Sequence, residues 1–350
     1  MYDIVTVGEI LAEVLTEHTN QEFTSPGILL GPYPSGAPAI AIDQAAKMGA
    51  RTAIIARVGR DDLGKLNLDR LASDGVDVSH IVQTSENTTG IAFVTYFSDG
   101  SRRFVYHFAK AACGELSPSD VDDEVVKNSR YLHIMGCSIT GSPSLGASVM
   151  KAVDTAIGSG VKISFDPNIR PELLSGGIMT HYRRILDACD VLLTGKSEMK
   201  HLFGDADGAV KKLLGEKDRI IAVKDGARGT SVYTREEAFR VPVYPADEVD
   251  PTGAGDSFDG TFLALLCKGE NLRTAADFGN AAGALAVAKR GPMEGNSTYS
   301  AIDAFREKTG AVVIADIANP YFVDILPSLK RGESRIDKDC RPKPVLHLLL

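Results

Sequence analysis

The sequence predicts an α/β protein built on a mostly parallel sheet, and three observations support this fold class. Runs of β-branched and aliphatic residues alternate with helical stretches along most of the chain, as in βαβ units. The run at 52–59 is almost continuously apolar, which is typical of a strand buried on both faces. The predicted strands after residue 130 end in polar or Gly-rich loops, and ligands bind at that edge of such a sheet.

The N-terminal part of the chain predicts a first strand at 2–8, a helix at 37–48 and a second strand at 52–59. Pro38 lies in the first helical turn, where its missing N–H costs nothing. A second helix follows through residue 72. Glu9 and Glu13 come just after the first strand. Each is either a ligand contact in the crevice beyond the strand or a solvated carboxylate at a strand or loop edge.

Residues 88–108 predict a β-hairpin, because two β-rich runs flank Ser98-Asp99-Gly100-Ser101. Its aromatic residues either cover a pocket or pack against each other across the strands. Residues 20–36 are rich in Gly, Pro and Ser and predict a loop or an edge strand.

The second half of the chain repeats the alternation. Strands are predicted near 131–136, 162–168, 191–194 and 219–224, with helices near 144–158 and 178–188 and a further helix that holds Glu198. Residues 225–233 predict a turn and a hairpin strand. The last stretch, 330–350, mixes charges, Pro and a terminal Leu run, and predicts a poorly ordered tail.

Composition excludes several classes of protein. The chain has 350 residues, 44% hydrophobic and 24% charged, which suits one large globular domain or two smaller ones. A net charge of -8 gives no reason to expect a nucleic-acid partner, and no apolar run reaches membrane-spanning length. Five scattered Cys without a CxxC pair favour a reduced, cytoplasmic protein. P-loop, GxGxxG, His-metal and GxSxG patterns are all missing from the sequence.

The most informative segment is Asp250-Pro251-Thr252-Gly253-Ala254-Gly255-Asp256, which precedes a mostly apolar helix that ends before Gly269. Unpaired N–H groups and the macrodipole at a helix N-terminus attract anions, and Gly residues let a phosphate approach the backbone. Asp256 could accept the proton of an attacking hydroxyl group. On spacing alone, an Asp-rich cap on a buried helix is an equally good interpretation.

These residues carry a family resemblance. The segment at 250–258 resembles the C-terminal signature of the ribokinase-like (PfkB-type) sugar kinases, and the segments at 35–39 and 58–64 resemble their N-terminal signature. The resemblance covers residues 3–308. It implies a three-layer α/β/α ribokinase-like fold with a mostly parallel central sheet and a small β lid from about 12–35 and 88–108. The kinase domain would span 1–310, followed by a C-terminal extension at 311–350.

The resemblance also implies a kinase that uses ATP and Mg²⁺ to phosphorylate a primary sugar hydroxyl. Asp256 would be the general base, and the backbone of Gly253, Ala254 and Gly255 would hold the moving phosphoryl group. The implied substrate contacts are Glu13, Gly36, Ala37 and Arg170, and the implied nucleotide contacts are Lys224, Gly226, Gly229 and Asn280. Glu198 would order the water shell of Mg²⁺, although Gly195 stands where the family's Asn-x-x-Glu motif has Asn. Asp250 and Thr252 lie where family members often bind a monovalent cation such as K⁺.

The run at 31–40 is similar to a bacterial subgroup that acts on ketohexoses, so tagatose or fructose is the favoured substrate. Ile40 replaces the usual sugar-binding Asn. The segment at 166–173 resembles fructokinase- and 2-keto-3-deoxygluconate-kinase-like members, and Lys110 or Arg170 would read the carboxylate of an acid substrate. That kinase is the first alternative, and a non-catalytic sugar-binding protein is the second. The expected partners are a sugar and ATP, with no nucleic acid or membrane, and the lid is a candidate homodimer interface.

Overall fold

A computed structural model describes residues 1–169, 178–310 and 312–322 of the chain. The strands there are β1 (Tyr2–Val7), β2 (Leu11–Thr16), β3 (Leu29–Ser35), β4 (Thr52–Gly59), β5 (Val76–Asp77), β6 (Ile81–Thr84), β7 (Gly90–Tyr96), β8 (Arg102–His107), β9 (Ser129–Met135), β10 (Lys162–Asp166), β11 (Val191–Gly195), β12 (Ile220–Lys224), β13 (Thr230–Tyr233), β14 (Ala238–Val241) and β15 (Ala315–Asp316). The α-helices are α1 (Ala37–Lys47), α2 (Asp62–Ser73), α3 (Asp123–Lys127), α4 (Gly136–Gly141), α5 (Pro143–Ser159), α6 (Ile178–Ala188), α7 (Lys196–Phe203), α8 (Ala206–Glu216), α9 (Ala254–Lys268), α10 (Leu272–Val287) and α11 (Tyr299–Thr309).

The large sheet is mostly parallel, as the alternation of strands and helices predicts. Its strands run in the order β15-β14-β13-β12-β11-β10-β9-β1-β4-β5, and β6 also pairs with β4. The pairs from β12 to β5 are parallel, whereas β13, β14 and β15 add to the other edge in antiparallel fashion. The carboxyl ends of the parallel strands therefore meet along one edge, where a ligand crevice forms.

Each face of the large sheet carries its own hydrophobic core. In β4, Ile54, Ala56 and Val58 belong to the core that contains residues of α1, α9 and α10, whereas Ala53 and Ile55 belong to the core with residues of α5, α6 and α8. The alternation arises because successive side chains of a strand point to opposite faces. Helices on both faces of one sheet confirm the predicted three-layer fold.

A second, small sheet has the strand order β3-β2-β7-β8. The predicted hairpin is the antiparallel pair β7–β8, and the Gly- and Pro-rich stretch contains the edge strand β3. Strand β8 is amphipathic: the side chains of Arg102, Phe104 and Tyr106 are half-buried, and the residues between them are exposed. One face of β8 therefore turns toward the body of the protein.

Helix α11 ends at Thr309, next to the domain boundary predicted at 310, and that boundary stays a prediction. Within the predicted extension, the short strand β15 pairs with β14, with Asp316 opposite Phe239. The sequence did not indicate β15, because a two-residue strand is too short to leave a periodic pattern. The predicted tail at 330–350 lies outside the described residues. Within them, no helix is long and apolar enough to cross a membrane, and Cys113, Cys189 and Cys267 form no disulfide bond.

Candidate active site

The turn that precedes α9 is shaped by one glycine. Gly253 is the N-cap of α9 and has a left-handed backbone with φ of 81°. A Cβ atom at this position would lie 2.2 Å from the carbonyl oxygen of Pro292, so a larger residue would not fit. The first intrahelical bond runs from the N–H of Ser257 to the oxygen of Gly253 at 2.8 Å. The N–H groups of the first helical turn therefore have no partner within the helix, which is the arrangement that binds anions.

Asp256 lies in the first turn of α9, is buried and lines a cavity. The amide nitrogen Nδ2 of Asn168 donates to Oδ1 of Asp256 at 3.2 Å. Asn168 follows β10 and has a positive φ of 38°. No motif in the sequence indicates this role of Asn168, although the residue lies in the segment at 166–173 that carries one of the family resemblances.

The cavity around Asp256 lies between the edge of the large sheet and the small sheet. Its other walls are Gly36, Ala37 and Ile40 from the start of α1, Glu9 after β1, and Glu13 on β2. The small sheet and its flanking residues add a set of aromatic side chains, namely Phe104, Tyr106 and Phe108. The structure thus brings Glu13, Gly36 and Ala37 together with Asp256 in one cavity, and their role toward a substrate stays a prediction. Ile40, which replaces the family's Asn, lines the same cavity.

Two buried carboxylates face this cavity in addition to Asp256. Oε2 of Glu13 accepts a hydrogen bond of 2.9 Å from the hydroxyl group of Ser35. Oε2 of Glu9 accepts one of 2.5 Å from Ser138, and its Oε1 accepts from the thiol of Cys137 at 3.2 Å. Glu9 was only one of two open candidates in the sequence; its burial at the cavity wall favours a ligand contact over a solvated carboxylate.

Lys224 connects the turn to the large sheet. Its Nζ donates to Asp166 at the end of β10 and to Asp259 on α9, both at 2.8 Å, and lies 3.5 Å from the carbonyl oxygen of Gly255. Although burial opposes it, the two carboxylates raise the pKa of Lys224 well above its ordinary value. Burial raises the pKa of Asp259, whereas the charge of Lys224 lowers that of Asp166 against the effect of burial. The nearest partners of this ammonium group are therefore carboxylates of the protein.

The predicted nucleotide residues lie on the loop after β12 and on α10. Gly226 and Gly229 have positive φ angles of 53° and 86°. A cleft beside this loop is lined by residues 224–228, the start of α7 and the residues that precede and begin α8. Asn280 on α10 does not line that cleft: its Oδ1 accepts from Thr230, and its Nδ2 donates to the carbonyl oxygens of Val241 and Pro242. Asn280 thus holds strands β13 and β14 together.

Glu198 caps the N-terminus of α7. Its Oε2 accepts from the N–H of Gly195 at 2.7 Å, and its Oε1 accepts from the N–H of Ile169 at 2.9 Å. Burial and the nearby charge of Asp166 raise its pKa. Within residues 1–169, 178–310 and 312–322, no group of three or more His, Cys, Asp or Glu could hold a metal ion by itself. A role of Glu198 toward Mg²⁺ stays a prediction.

Asp250 and Thr252 contact the small sheet. Oδ1 of Asp250 accepts from the hydroxyl group of Tyr96 at 2.8 Å, and the guanidinium group of Arg102 donates to Oγ1 of Thr252 at 3.1 Å. The predicted cation site is therefore approached by a lid residue with a positive charge. Lys110 is exposed and does not line the cavity. Arg170 lies outside the described residues.

Comparison with known families identifies the protein class. The family model described as "pfkB family carbohydrate kinase" matches residues 1–298. The chain belongs to the PfkB family of carbohydrate kinases. This confirms the resemblance on which the predicted fold and enzyme class rest, and it removes the support for a non-catalytic sugar-binding protein.

Several relatives of this PfkB-family kinase bear names of sugar kinases. The chain is 32% identical to "Probable fructokinase-5" of Arabidopsis thaliana over 303 residues, covering 83% of this chain and 93% of that protein. It is 34% identical over 254 residues to the 2-dehydro-3-deoxygluconokinase of Thermoproteus tenax, covering 70% of this chain and 77% of the relative.

A solved structure agrees with this assignment. The structure of a "putative Ribokinase II" from E. coli in complex with ATP and Mg²⁺ has a TM-score of 0.81 and 40% sequence identity. The matched region covers 88% of this chain and 100% of the E. coli chain.

Proposed function

We propose that this PfkB-family kinase transfers the γ-phosphoryl group of ATP to a primary hydroxyl of a neutral ketohexose such as fructose or tagatose. The observation that supports this best is the charge of the cavity. Three carboxylates, of Glu9, Glu13 and Asp256, face it, and none of the described residues that line it is basic. A sugar carboxylate buried there would add a fourth negative charge with no cationic partner among those lining residues, which is costly in a poorly solvated site.

A neutral sugar suits the same cavity because its hydroxyl groups are hydrogen-bond donors. Carboxylates accept hydrogen bonds, so Glu9 and Glu13 can each accept one from a sugar hydroxyl group. The aromatic side chains of the small sheet would cover the sugar. Gly36 has a φ of 111°, and a Cβ atom there would lie 2.5 Å from the backbone oxygen of Glu9. Only glycine therefore lets the two backbone segments approach this closely at the cavity wall.

The chemical step follows from the position of Asp256. Its carboxylate would accept the proton of the attacking hydroxyl group, while the N–H groups of Gly253, Ala254 and Gly255 stabilise the charge on the transferring phosphoryl group. Lys224 contributes by holding β10, α9 and the carbonyl of Gly255 together. In this role it positions the turn and adds positive charge beneath it.

We place the nucleotide along the loop at 225–229 and in the adjoining cleft. Lys196, Lys200 and Arg228 line this cleft and would attract the phosphates of ATP. Mg²⁺ usually keeps several waters and binds mainly to nucleotide phosphates, so the protein need not supply a complete set of ligands. Glu198 and Asp166 are the acidic side chains that would meet its water shell, and the ion would neutralise phosphate charge.

A coupled ADP-release assay with ATP and Mg²⁺ tests the proposal. Fructose, tagatose, glucose, ribose and 2-keto-3-deoxygluconate would be compared by kcat/KM. We expect a ketohexose to be the best substrate and Asp256→Asn to abolish most of its turnover. A preference for 2-keto-3-deoxygluconate would overturn the substrate assignment in favour of the acid-sugar kinase, which the Thermoproteus tenax relative represents. Turnover of none of these sugars would overturn the assignment altogether.

A further inference from the structure

The end of the small sheet contacts the segment that leads into the phosphate-binding turn. Tyr96 on β7 and Arg102 on β8 are paired directly across the hairpin. The hydroxyl group of Tyr96 donates to Oδ1 of Asp250 at 2.8 Å and lies 3.3 Å from Oγ1 of Thr252, to which Arg102 also donates. We call this set of contacts between Tyr96, Arg102, Asp250 and Thr252 the hairpin latch.

Asp250 transmits the position of Tyr96 to the turn. Its Oδ1 also accepts from the N–H of Thr252 at 2.9 Å, and its Oδ2 accepts from the N–H of Gly291 at 3.0 Å. The segments that hold these two N–H groups both contact Gly253: Thr252 precedes it in the chain, and the carbonyl oxygen of Pro292, the residue after Gly291, would lie 2.2 Å from a Cβ atom at Gly253. A shift of the Asp250 carboxylate would therefore move both walls of the Gly253 turn.

The latch lies at one end of the face that covers the sugar cavity. Arg102, Phe104 and Tyr106 share the inner face of β8, the rings of Phe104 and Tyr106 stack at a centroid distance of 5.4 Å, and the guanidinium carbon of Arg102 lies 5.7 Å from the ring centroid of Phe104. Asp250 is buried, so the hydroxyl group of Tyr96 donates to a carboxylate that has little contact with solvent. One continuous surface thus connects the sugar cover with the phosphate turn.

We propose that Tyr96 and Arg102 are positioning residues. Through them, phosphoryl transfer depends on the contact of the small sheet with Asp250 and Thr252. With the latch formed, the aromatic face covers the sugar and the Gly253 turn is in place; without it, the turn loosens and water gains access to the site. The inference rests on the proposed function for its activity measurements.

The test compares Tyr96→Phe, Arg102→Lys and Arg102→Ala with Arg103→Ala as the matched control. Arg103 lies on the exposed face of the same strand. Tyr96→Phe keeps the ring and removes only the hydroxyl group, so we expect it to fold normally. We expect kcat for the sugar to fall about tenfold in Tyr96→Phe and Arg102→Ala, and the ratio of ATP hydrolysis to sugar phosphorylation to rise about tenfold, because an incompletely covered site admits water. Arg102→Lys should recover part of the loss, and the control should match wild type.

Amide hydrogen exchange of residues 251–256 provides a second measurement that needs no substrate. We expect faster exchange in Tyr96→Phe than in wild type or Arg103→Ala, because the Asp250 acceptor loses its tie to the small sheet. Unchanged exchange and an unchanged hydrolysis ratio in Tyr96→Phe would overturn the latch. A uniform loss of all activity with a lower melting temperature and an unchanged ratio would also overturn it, since it would show a purely structural role. If wild type phosphorylates no ketohexose, the proposed function fails, and the exchange result still decides on the latch.

Discussion

The two ends of the proposed active site are formed by parts of the fold that differ in how deeply they are buried. The proposed phosphate end, the turn at 250–256, leads into α9, which is buried along most of its length, and is supported by the ion pairs of Lys224 with Asp166 and Asp259. The proposed sugar end lies against the small sheet, whose strand β8 alternates between half-buried and exposed residues. Groups that must be positioned to within a fraction of an ångström thus stand on the part of the fold that cannot move without disturbing a core. Groups that select a substrate stand on a thinner, more changeable element.

Asp256→Asn gives the largest expected effect at the phosphate end. An amide of the same shape cannot accept the hydroxyl proton, so kcat should fall about 10²–10⁴-fold. ATP affinity, measured by calorimetry, should change little. If kcat stayed near the wild-type value, the assignment of the general base would be wrong.

Lys224→Met tests whether the phosphate end depends on its ion group. Removing the ammonium leaves the buried carboxylates of Asp166 and Asp259 uncompensated, which typically costs about 3–5 kcal/mol. The free energy of unfolding from urea titration measures the loss. Lys196→Met is the matched control, because Lys196 pairs with Asp225 at the surface and should cost less than about 1 kcal/mol. Equal losses in the two variants would contradict the comparison.

Glu13→Gln addresses the sugar end. It weakens an acceptor for a sugar hydroxyl, and a hydrogen bond to a charged group is worth about 1.5–3 kcal/mol, so KM for the sugar should rise roughly 10–100-fold. We expect kcat to change far less than in Asp256→Asn. Glu17→Gln, just beyond β2 and outside the cavity, is the control. A fall in kcat at constant KM would show that the two ends are not separable in this way.

Asp43→Asn tests, by the pH dependence of stability, the buried polar contact between α1 and α9, in which Asn296 donates to Asp43 and accepts from Ser257, both at 2.7 Å. Burial raises the pKa of Asp43 to about 7; the groups that face it are Asn296, Arg70 and Asp74. Because an unfolded Asp titrates near pH 4, the protonated form favours folding, and this contribution is lost as pH rises through 7. Asn imitates the protonated acid, so the variant should exceed wild type in melting temperature at pH 8 and converge with it near pH 4. Asp69→Asn, at an exposed pair on α2, should show no such trend.

Removal of residues 331–350 gives the smallest expected effect. Every described residue that lines the sugar cavity precedes residue 257, and the family match ends at 298. Turnover should therefore equal that of the full chain. A truncated protein that folds by circular dichroism but lacks activity would show that the tail contributes to the site.

Much of the fold could be read from local patterns. The strand–helix alternation, the hairpin at 88–108 and the turn at 250–256 depend on residues that are neighbours in the chain, so their periodicity and their Gly and Pro positions are visible in the sequence. The same turn indicated that Asp256 could act as a general base, and the family resemblance supported this role over that of a helix cap. The two-residue strand β15 escaped prediction because it is too short to be periodic.

Contacts across long chain separations were decided by the tertiary structure alone. Glu9 meets Cys137 and Ser138 because β1 and β9 are adjacent in the sheet, and Lys224 reaches Asp166 because β10, β11 and β12 follow one another there. Tyr96 reaches Asp250 across more than 150 residues. Strand order and the docking of the small sheet are set by the burial of both cores as a whole, and no local pattern encodes which side chains they bring within hydrogen-bonding distance.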